Sequence, residues 1–169
     1  MTMRDLQRTL AIRFPGLSRL GMVRGVSRLT PAEKAMAIEA MLLLTGLRAA
    51  LLVLPFRKIA VHFGQLISPG VDDALPEEAC GQGHERSALL IGSIVSRVAR
   101  QLFFEASCLP QALTARCMLT RRGIRSVLHF GVCKTEDHGL KAHAWLDSHR
   151  VNVVGAQTAE QFIEIGRLI

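Results

Sequence analysis

The pattern of apolar residues changes at Gly123, and this change limits what the chain can fold into. Before Gly123 the chain carries long apolar segments with helical spacing, and after it come short β-prone stretches separated by turn-forming residues. The short connections between those stretches predict antiparallel neighbours. Helices followed by a small antiparallel sheet are typical of an α+β fold. At 169 residues, one domain with a substantial core is expected.

The first long helix has sequence markers at both ends. Thr30 offers an N-cap hydroxyl, Pro31 stands at the first helical position and Glu33 completes a capping box. Pro55 ends or kinks this helix. The apolar segment 36–56 is interrupted by one glutamate and one arginine, whereas a membrane span needs about 20 apolar residues without such breaks. We therefore expect a buried helix and no membrane span.

The remaining elements follow from periodicity and from turn-forming residues. They are predicted as helices over 57–66, 88–104, 108–122 and 159–168, and as strands over 124–133, 140–147 and 150–154. Residues 1–67 are assigned to a basic arm and helical amino-terminal region. Residues 68–86 are predicted to form an acidic loop rich in proline and glycine, and residues 87–169 form the core that carries the chemistry.

The net charge of +7 is concentrated at the amino terminus. Residues 1–30 hold six arginines and one acid, Asp5, and so carry a net +5. The arginines are Arg4, Arg8, Arg13, Arg19, Arg24 and Arg28. Such an arm suits nucleic acid, a membrane surface or an acidic peptide. Because the arm lacks interleaved aromatic residues and matches no nucleic-acid fold signature, we expect no nucleic-acid partner but a solvated or partner-docking arm.

The cysteines indicate reduced thiols in a cytoplasmic protein, because they form no C-x-x-C pair and follow no secretory signal. They are Cys80, Cys108, Cys117 and Cys133. Cys80 with His84 and Cys133 with His138 have the residue types of four zinc ligands, but their spacing fits no standard zinc module. We expect neither a metal nor a cofactor. Cys117, about half a helical rotation from Cys108, is assigned to the core.

A cysteine at a helix start and a histidine on a strand carry the predicted chemistry. Cys108 follows Ser107, a candidate N-cap, and lies within a turn of Pro110, a residue tolerated only near a helix start. A helix N-terminus lowers a thiol pKa, and an imidazole can carry the proton. His143 lies 35 residues later, on the same strand face as Trp145, which suits a cleft wall. Each residue alone is more often structural, but the pair indicates a cysteine nucleophile with a histidine base.

Four stretches follow one another in a specific order: Ser107–Leu113, Leu119–Ile124, Leu128–Val132 and Ala142–Asp147. Together they resemble the lasso-peptide leader peptidase family, transglutaminase-like cysteine proteases that remove the leader from a ribosomally made precursor. The similarity covers roughly residues 88–169, and residues 29–64 are similar less specifically. The resemblance implies a papain/transglutaminase-like core in which Cys108 attacks the carbonyl of the last leader residue. His143 would then act first as general base and later as general acid.

The resemblance also implies partners. A separate small recognition protein would hold the precursor's leader peptide, because this chain has no sequence that resembles a leader-recognition module. An ATP-dependent lasso cyclase, similar to asparagine synthetase, would close the freed amine onto a side-chain carboxylate. A threonine near the end of the leader is the expected substrate preference.

The residue that orients His143 is left open by the sequence. Many family members have an aspartate about a dozen residues after the histidine, where this chain has Gly155. Asp147 is the nearest acid, but four residues along a strand span about 13 Å. Asn152 on the returning strand is an alternative through its amide oxygen, and Gln157 is another. We expect a dyad, with Asp147 as the first candidate for a third member.

For the oxyanion, the backbone amide of Cys108 is the expected donor, and the side chain of Gln101 is a second candidate. Two alternatives to a protease remain at this stage. One is another acyl-transfer enzyme of the same fold, such as a transglutaminase or an amidase. The other is a zinc-binding or adaptor protein.

Overall fold

The computed structural model describes residues 30–68, 82–104, 106–135, 139–149 and 151–169. The α-helices among them are α1 (Pro31–Val53), α2 (Phe56–Ala60), α3 (Gln82–Ala99) and α4 (Cys108–Thr120). The strands are β1 (Leu66–Ile67), β2 (Val127–Lys134), β3 (Leu140–Ser148), β4 (Val151–Val154) and β5 (Ile163–Leu168), and a 3₁₀ helix covers Ala156–Gln161. The basic arm, Cys80 and His138 lie outside the described residues.

Helix α1 begins where its sequence markers predicted. The Thr30 hydroxyl accepts a hydrogen bond from the Glu33 amide at 3.2 Å, and the Glu33 carboxylate accepts one from the Thr30 amide at 2.7 Å. Pro31 occupies the first turn, where a missing N–H costs nothing. The helix ends before Leu54, and Pro55 then serves as the N-cap of α2. The capping box therefore fixes the start of this helix.

The prediction that α1 is buried is wrong for most of its length. Only Ala40 and Leu44 are buried, because the helix packs against α3 and α4 along one side and nothing else described covers the other. Within the described part of the chain, α1 is also the one helix that could cross a membrane by length and composition alone, with a mean hydropathy of 1.9. The expectation of no membrane span stays a prediction.

Two helices differ in extent from the sequence prediction. Helix α2 ends at Ala60 rather than near residue 66, because Leu66 and Ile67 pair their backbone with β5. Helix α3 begins at Gln82, inside the segment predicted to be a loop, and ends at Ala99 instead of residue 104.

The predicted final helix is wrong, because β5 occupies most of its range. The described strands form one antiparallel sheet in the order β1-β5-β2-β3-β4. Strand β5 lies between β1 and β2, and Leu168 faces both Leu66 and Leu128. Ile163 and Ile165 are exposed whereas Gly166 and Leu168 are buried, which is the period of two that a strand requires. The three strands predicted after Gly123 are confirmed within three residues at each end.

One face of the sheet packs on α4, and a buried arginine ties the two together. Ala144 and Leu146 of β3 belong to the same core cluster as Leu113 of α4. On the same helix, the guanidinium of Arg116 is buried and donates to three backbone carbonyls. These are the carbonyls of Phe63 at 2.9 Å, Ser126 at 2.6 Å and Leu168 at 3.1 Å. These bonds attach α4 to the turn after α2, to the residue before β2 and to the end of β5.

Candidate active site

Cys108 is the first residue of α4, with Ser107 in the extended conformation of an N-cap. The Ser107 hydroxyl makes no capping hydrogen bond, so it satisfies no amide of the first turn. Pro110 has no N–H, which leaves the amides of Cys108 and Leu109 as the donors in the first turn. The Leu109 backbone hydrogen-bonds the Cys108 sulfur. The amide of Cys108 stays the expected donor to a substrate oxyanion.

The structure brings Cys108 and His143 together. Their side chains form a hydrogen bond, and the backbone of Ala144, next along β3, also bonds the Cys108 sulfur. This contact arises because β3 packs along α4, so that its middle residues lie beside the helix start. The two residues that the sequence singled out therefore form one site.

The hydrogen bond favours the thiolate–imidazolium form of the pair. Burial alone would raise the pKa of Cys108, but the bond to His143, the backbone bonds with Ala144 and Leu109 and the His143 charge hold that pKa below its usual value. The bond to Cys108 is the largest effect on His143 and raises its pKa. Burial, the next largest, lowers that pKa, and the bond to Gly155 raises it again. Each partner thus stabilises the charged form of the other.

On its other side, the His143 ring is held by a backbone carbonyl. The ring Nε2 lies 2.7 Å from the Gly155 oxygen and 3.3 Å from Thr158 Oγ1. A carbonyl can only accept, so Nε2 carries a proton and donates it, which leaves Nδ1 to face the Cys108 sulfur. Gly155 has φ of 83°, and a Cβ there would lie 2.8 Å from the Ala144 oxygen. Only glycine fits this position without strain.

The side chains considered as a third member lie elsewhere. Oδ2 of Asp147 is 3.4 Å from His129 Nε2, and no contact joins Asp147 to His143. Burial raises the pKa of Asp147, with His129 lowering it and Glu164 raising it. The separation follows from the extended strand, as expected from its length. Asn152 and Gln157 are exposed, and neither side chain bonds His143 within the described part of the chain. The orienting role therefore falls to a backbone group.

Trp145 supports the imidazole. Its ring stacks on His143 with centroids 6.0 Å apart and on His129 with centroids 5.3 Å apart. Phe162 contacts the His143 ring from a third direction, at 4.9 Å. The indole is almost fully buried, so it fills the space between the two imidazoles and restricts the orientation of His143.

Sequence reasoning missed several residues around the site. His129 bonds Glu164 at 3.0 Å and takes part in the row of stacked rings, while Phe162 and Thr158 contact His143 directly. In the pairing of β2 with β3, His129 lies opposite Trp145. A prediction of that strand register would therefore have placed His129 beside the site. Thr158 and Phe162 carry no such signal, because the sequence pattern predicts a helix that begins at residue 159, and a helix there would not turn these two side chains toward β3.

Gln101, the second oxyanion candidate, lies in the turn that follows α3. Its side chain makes no hydrogen bond with the rest of the described structure. Gln111, one turn into α4, instead donates from Nε2 to the Ala106 carbonyl at 2.6 Å and so fixes the backbone just before Cys108.

Cys117, on the same helix, provides an internal comparison. Burial raises its pKa, and the nearby arginines lower it only partly. Among the described residues no imidazole contacts Cys117, so it has the protonated, unreactive character of a structural cysteine. The described residues contain no group of three or more His, Cys, Asp or Glu side chains placed to hold a metal ion. The proposed zinc ligands Cys80 and His138 fall outside the described ranges.

Comparison with known proteins gives a result at the level of the family. A profile of the transglutaminase-like superfamily matches residues 50–167, which is more than two thirds of the chain and includes both Cys108 and His143. No curated protein and no solved structure matches the chain significantly. The matched region supports the α+β fold and the broad class of cysteine protease and acyl-transfer chemistry. The chain belongs to the transglutaminase-like superfamily.

Proposed function

We propose that this protein is a cysteine endopeptidase that removes the leader from a ribosomally made lasso-peptide precursor. The observation that carries the proposal is the hydrogen-bonded Cys108–His143 pair at the start of α4. Membership of the transglutaminase-like superfamily supports the chemistry in general. The four ordered stretches from Ser107 to Asp147 support the leader-peptidase specificity.

The proposed reaction is acyl transfer to water in two steps. The Cys108 thiolate attacks the carbonyl carbon of the last leader residue, and the oxyanion receives a hydrogen bond from the Cys108 amide. The C–N bond then breaks as His143 gives its Nδ1 proton to the leaving amine, which leaves a thioester. Water attacks that thioester while His143 takes a proton, and the thiolate is released. The Gly155 carbonyl keeps Nδ1 directed at the sulfur throughout.

We propose further that the chain works in the cytoplasm with two other proteins and needs no cofactor. A separate recognition protein would present the leader, since no stretch of this chain resembles such a module. An ATP-dependent, asparagine-synthetase-like lasso cyclase would consume the freed core peptide, since its new amino group is the nucleophile for ring closure.

The test is cleavage of the precursor encoded next to this chain, in the presence of the recognition protein, followed by mass spectrometry. Two peptides are expected. Cys108→Ala should abolish cleavage, and His143→Ala should slow it by about 10²–10⁴-fold, the usual contribution of a general base. Cys117→Ala is the matched control and should cleave at nearly the wild-type rate, because burial raises the pKa of Cys117 and no described imidazole contacts it.

The same experiment separates the alternatives. Cleavage that persists in Cys108→Ala would rule out the proposed mechanism. An amine adduct of the intact precursor, with no free leader, would replace the protease by a transglutaminase-type enzyme acting through the same pair. Stoichiometric zinc together with no reaction of any precursor would favour the adaptor alternative.

A further inference from the structure

One side of α1 is exposed, apolar and free of charge over most of its length. The exposed residues recur every three or four positions and so form a single stripe, which we call the outer stripe. The outer stripe consists of Ala35, Ile38, Met41, Leu42, Thr45, Gly46, Ala49, Leu52 and Val53. Leu42 is 65%, Leu52 66% and Val53 82% exposed. A monomeric soluble protein rarely leaves so long an apolar surface open, so the stripe calls for a partner.

The one acid within the span of the outer stripe, Glu39, is turned away from it, and the half-exposed Arg48 lies at its edge. Glu39 ion-pairs with Arg121 at 3.0 Å and with Arg122 at 2.8 Å, both just beyond the end of α4. This acid therefore faces the rest of the domain. From Ala35 to Val53 the outer stripe extends about 27 Å, at 1.5 Å per residue.

Cations stand at both ends of the outer stripe. Lys34 precedes it, beside the capping-box carboxylate of Glu33, and the exposed Arg57 and Lys58 follow it. The amino-terminal 30 residues add six arginines against one acid. A long apolar strip between basic ends complements the acyl chains and negative headgroups of an anionic bilayer. A protein partner would instead need an apolar surface with acidic residues at both of its ends.

We propose that the outer stripe of α1 docks the protein on the surface of an anionic phospholipid bilayer. The helix lies in the plane of the interface. It does not cross the bilayer, because its opposite side is packed against α3 and α4 and would have to separate from them to insert. The acyl chains take the place of water on the stripe, and the basic residues at its ends contact lipid phosphates.

The test is co-sedimentation of the full-length protein with vesicles of equal parts phosphatidylglycerol and phosphatidylcholine, and with vesicles of phosphatidylcholine alone. The wild-type protein should bind the anionic vesicles at least about tenfold more tightly, since several basic residues contribute. The double variant Leu42→Glu/Leu52→Glu should lose about tenfold or more of that affinity, because two charges enter the apolar stripe. Ile165→Glu, at a 53% exposed position of β5, is the matched control and should bind like the wild type.

Circular dichroism and thermal unfolding must first show that the variants remain folded. Equal binding to both vesicle types, or unchanged binding of the double variant, would overturn the proposal. So would a wild-type protein that ignores vesicles but forms a dimer that Leu42→Glu/Leu52→Glu dissociates, because a second copy would then cover the stripe. Cys108→Ala should bind vesicles like the wild type, so this result is independent of the proposed peptidase activity.

Discussion

At the scale of single residues, the site orients its histidine with a neutral backbone acceptor. A carboxylate would stabilise the imidazolium by charge as well as by geometry. The Gly155 carbonyl supplies geometry and a partial charge, and the largest single cause of the raised His143 pKa is the bond to Cys108 itself. The pKa shifts of Cys108 and His143 are therefore mutual, and removal of either side chain should return the pKa of the other toward its ordinary value.

Gly155→Ala should weaken the site without touching a catalytic side chain. The new Cβ would meet the Ala144 oxygen at 2.8 Å and would strain a positive φ, so the 155 carbonyl must shift. A displacement of about 1 Å at such a position can cost about 10²-fold in rate, and we expect a loss of 10- to 100-fold in kcat/KM for the precursor. Gly46→Ala is the control, because a Cβ there meets nothing within 4 Å. Equal activity of both variants would contradict the role of the carbonyl.

Asp147→Asn should have little effect on the rate. Asp147 contacts His129 rather than His143, so the substitution leaves the hydrogen bonds of the His143 ring in place. We expect precursor cleavage within about threefold of the wild type, whereas loss of a true orienting aspartate costs about 10⁴-fold in kcat. A loss near the larger figure, in a protein with unchanged thermal stability, would restore Asp147 as the third member.

At the scale of elements, the position of Cys108 depends on how α4 is fixed to the sheet. Arg116 makes that attachment through three carbonyls, and it has no acidic partner in the described structure. Burial lowers its pKa, so the guanidinium depends on those carbonyls to compensate for lost hydration.

Arg116→Met should destabilise the fold by about 2 kcal/mol or more, since each buried acceptor left unpaired costs about 1–3 kcal/mol. Urea unfolding followed by circular dichroism measures this loss. Arg122→Met is the control, because that side chain is partly exposed and its ion pair with Glu39 is worth no more than about 1 kcal/mol. Equal losses of unfolding free energy in the two variants would show that the three carbonyl bonds of Arg116 stabilise the fold no more than the Arg122–Glu39 ion pair does.

The start of α1 and the strands after Gly123 were predictable, because capping residues and turn residues act locally. How much of α1 is buried could not be predicted from the sequence. A helix that is hydrophobic on all sides is typical of a core, but the pattern does not show which side is covered. The last helix was wrong for a related reason. Its strand is stabilised by pairing with β1, about 100 residues earlier, and with β2, and no local pattern reveals such distant partners.

At the scale of the whole molecule, the fold brings together residues that are 35 positions apart. Strands β2 and β3 form a hairpin that packs on α4, so the middle of β3 reaches the start of that helix. The sequence predicted the pair from residue types and from a family resemblance. It did not predict the acceptor at Gly155, because every residue has a carbonyl and only the backbone conformation decides which one faces the ring.

The proposed peptidase mechanism depends on an activated thiol at Cys108, and the pH dependence of Cys108 alkylation tests this directly. Iodoacetamide labelling with peptide mapping should show Cys108 reacting at lower pH and faster than Cys117, because the pKa of Cys108 is lowered and that of Cys117 is raised. In His143→Ala the Cys108 profile should move to higher pH, since the bond and the charge that favour the thiolate are gone. A Cys108 that reacts no faster than Cys117 and ignores His143→Ala would contradict the account.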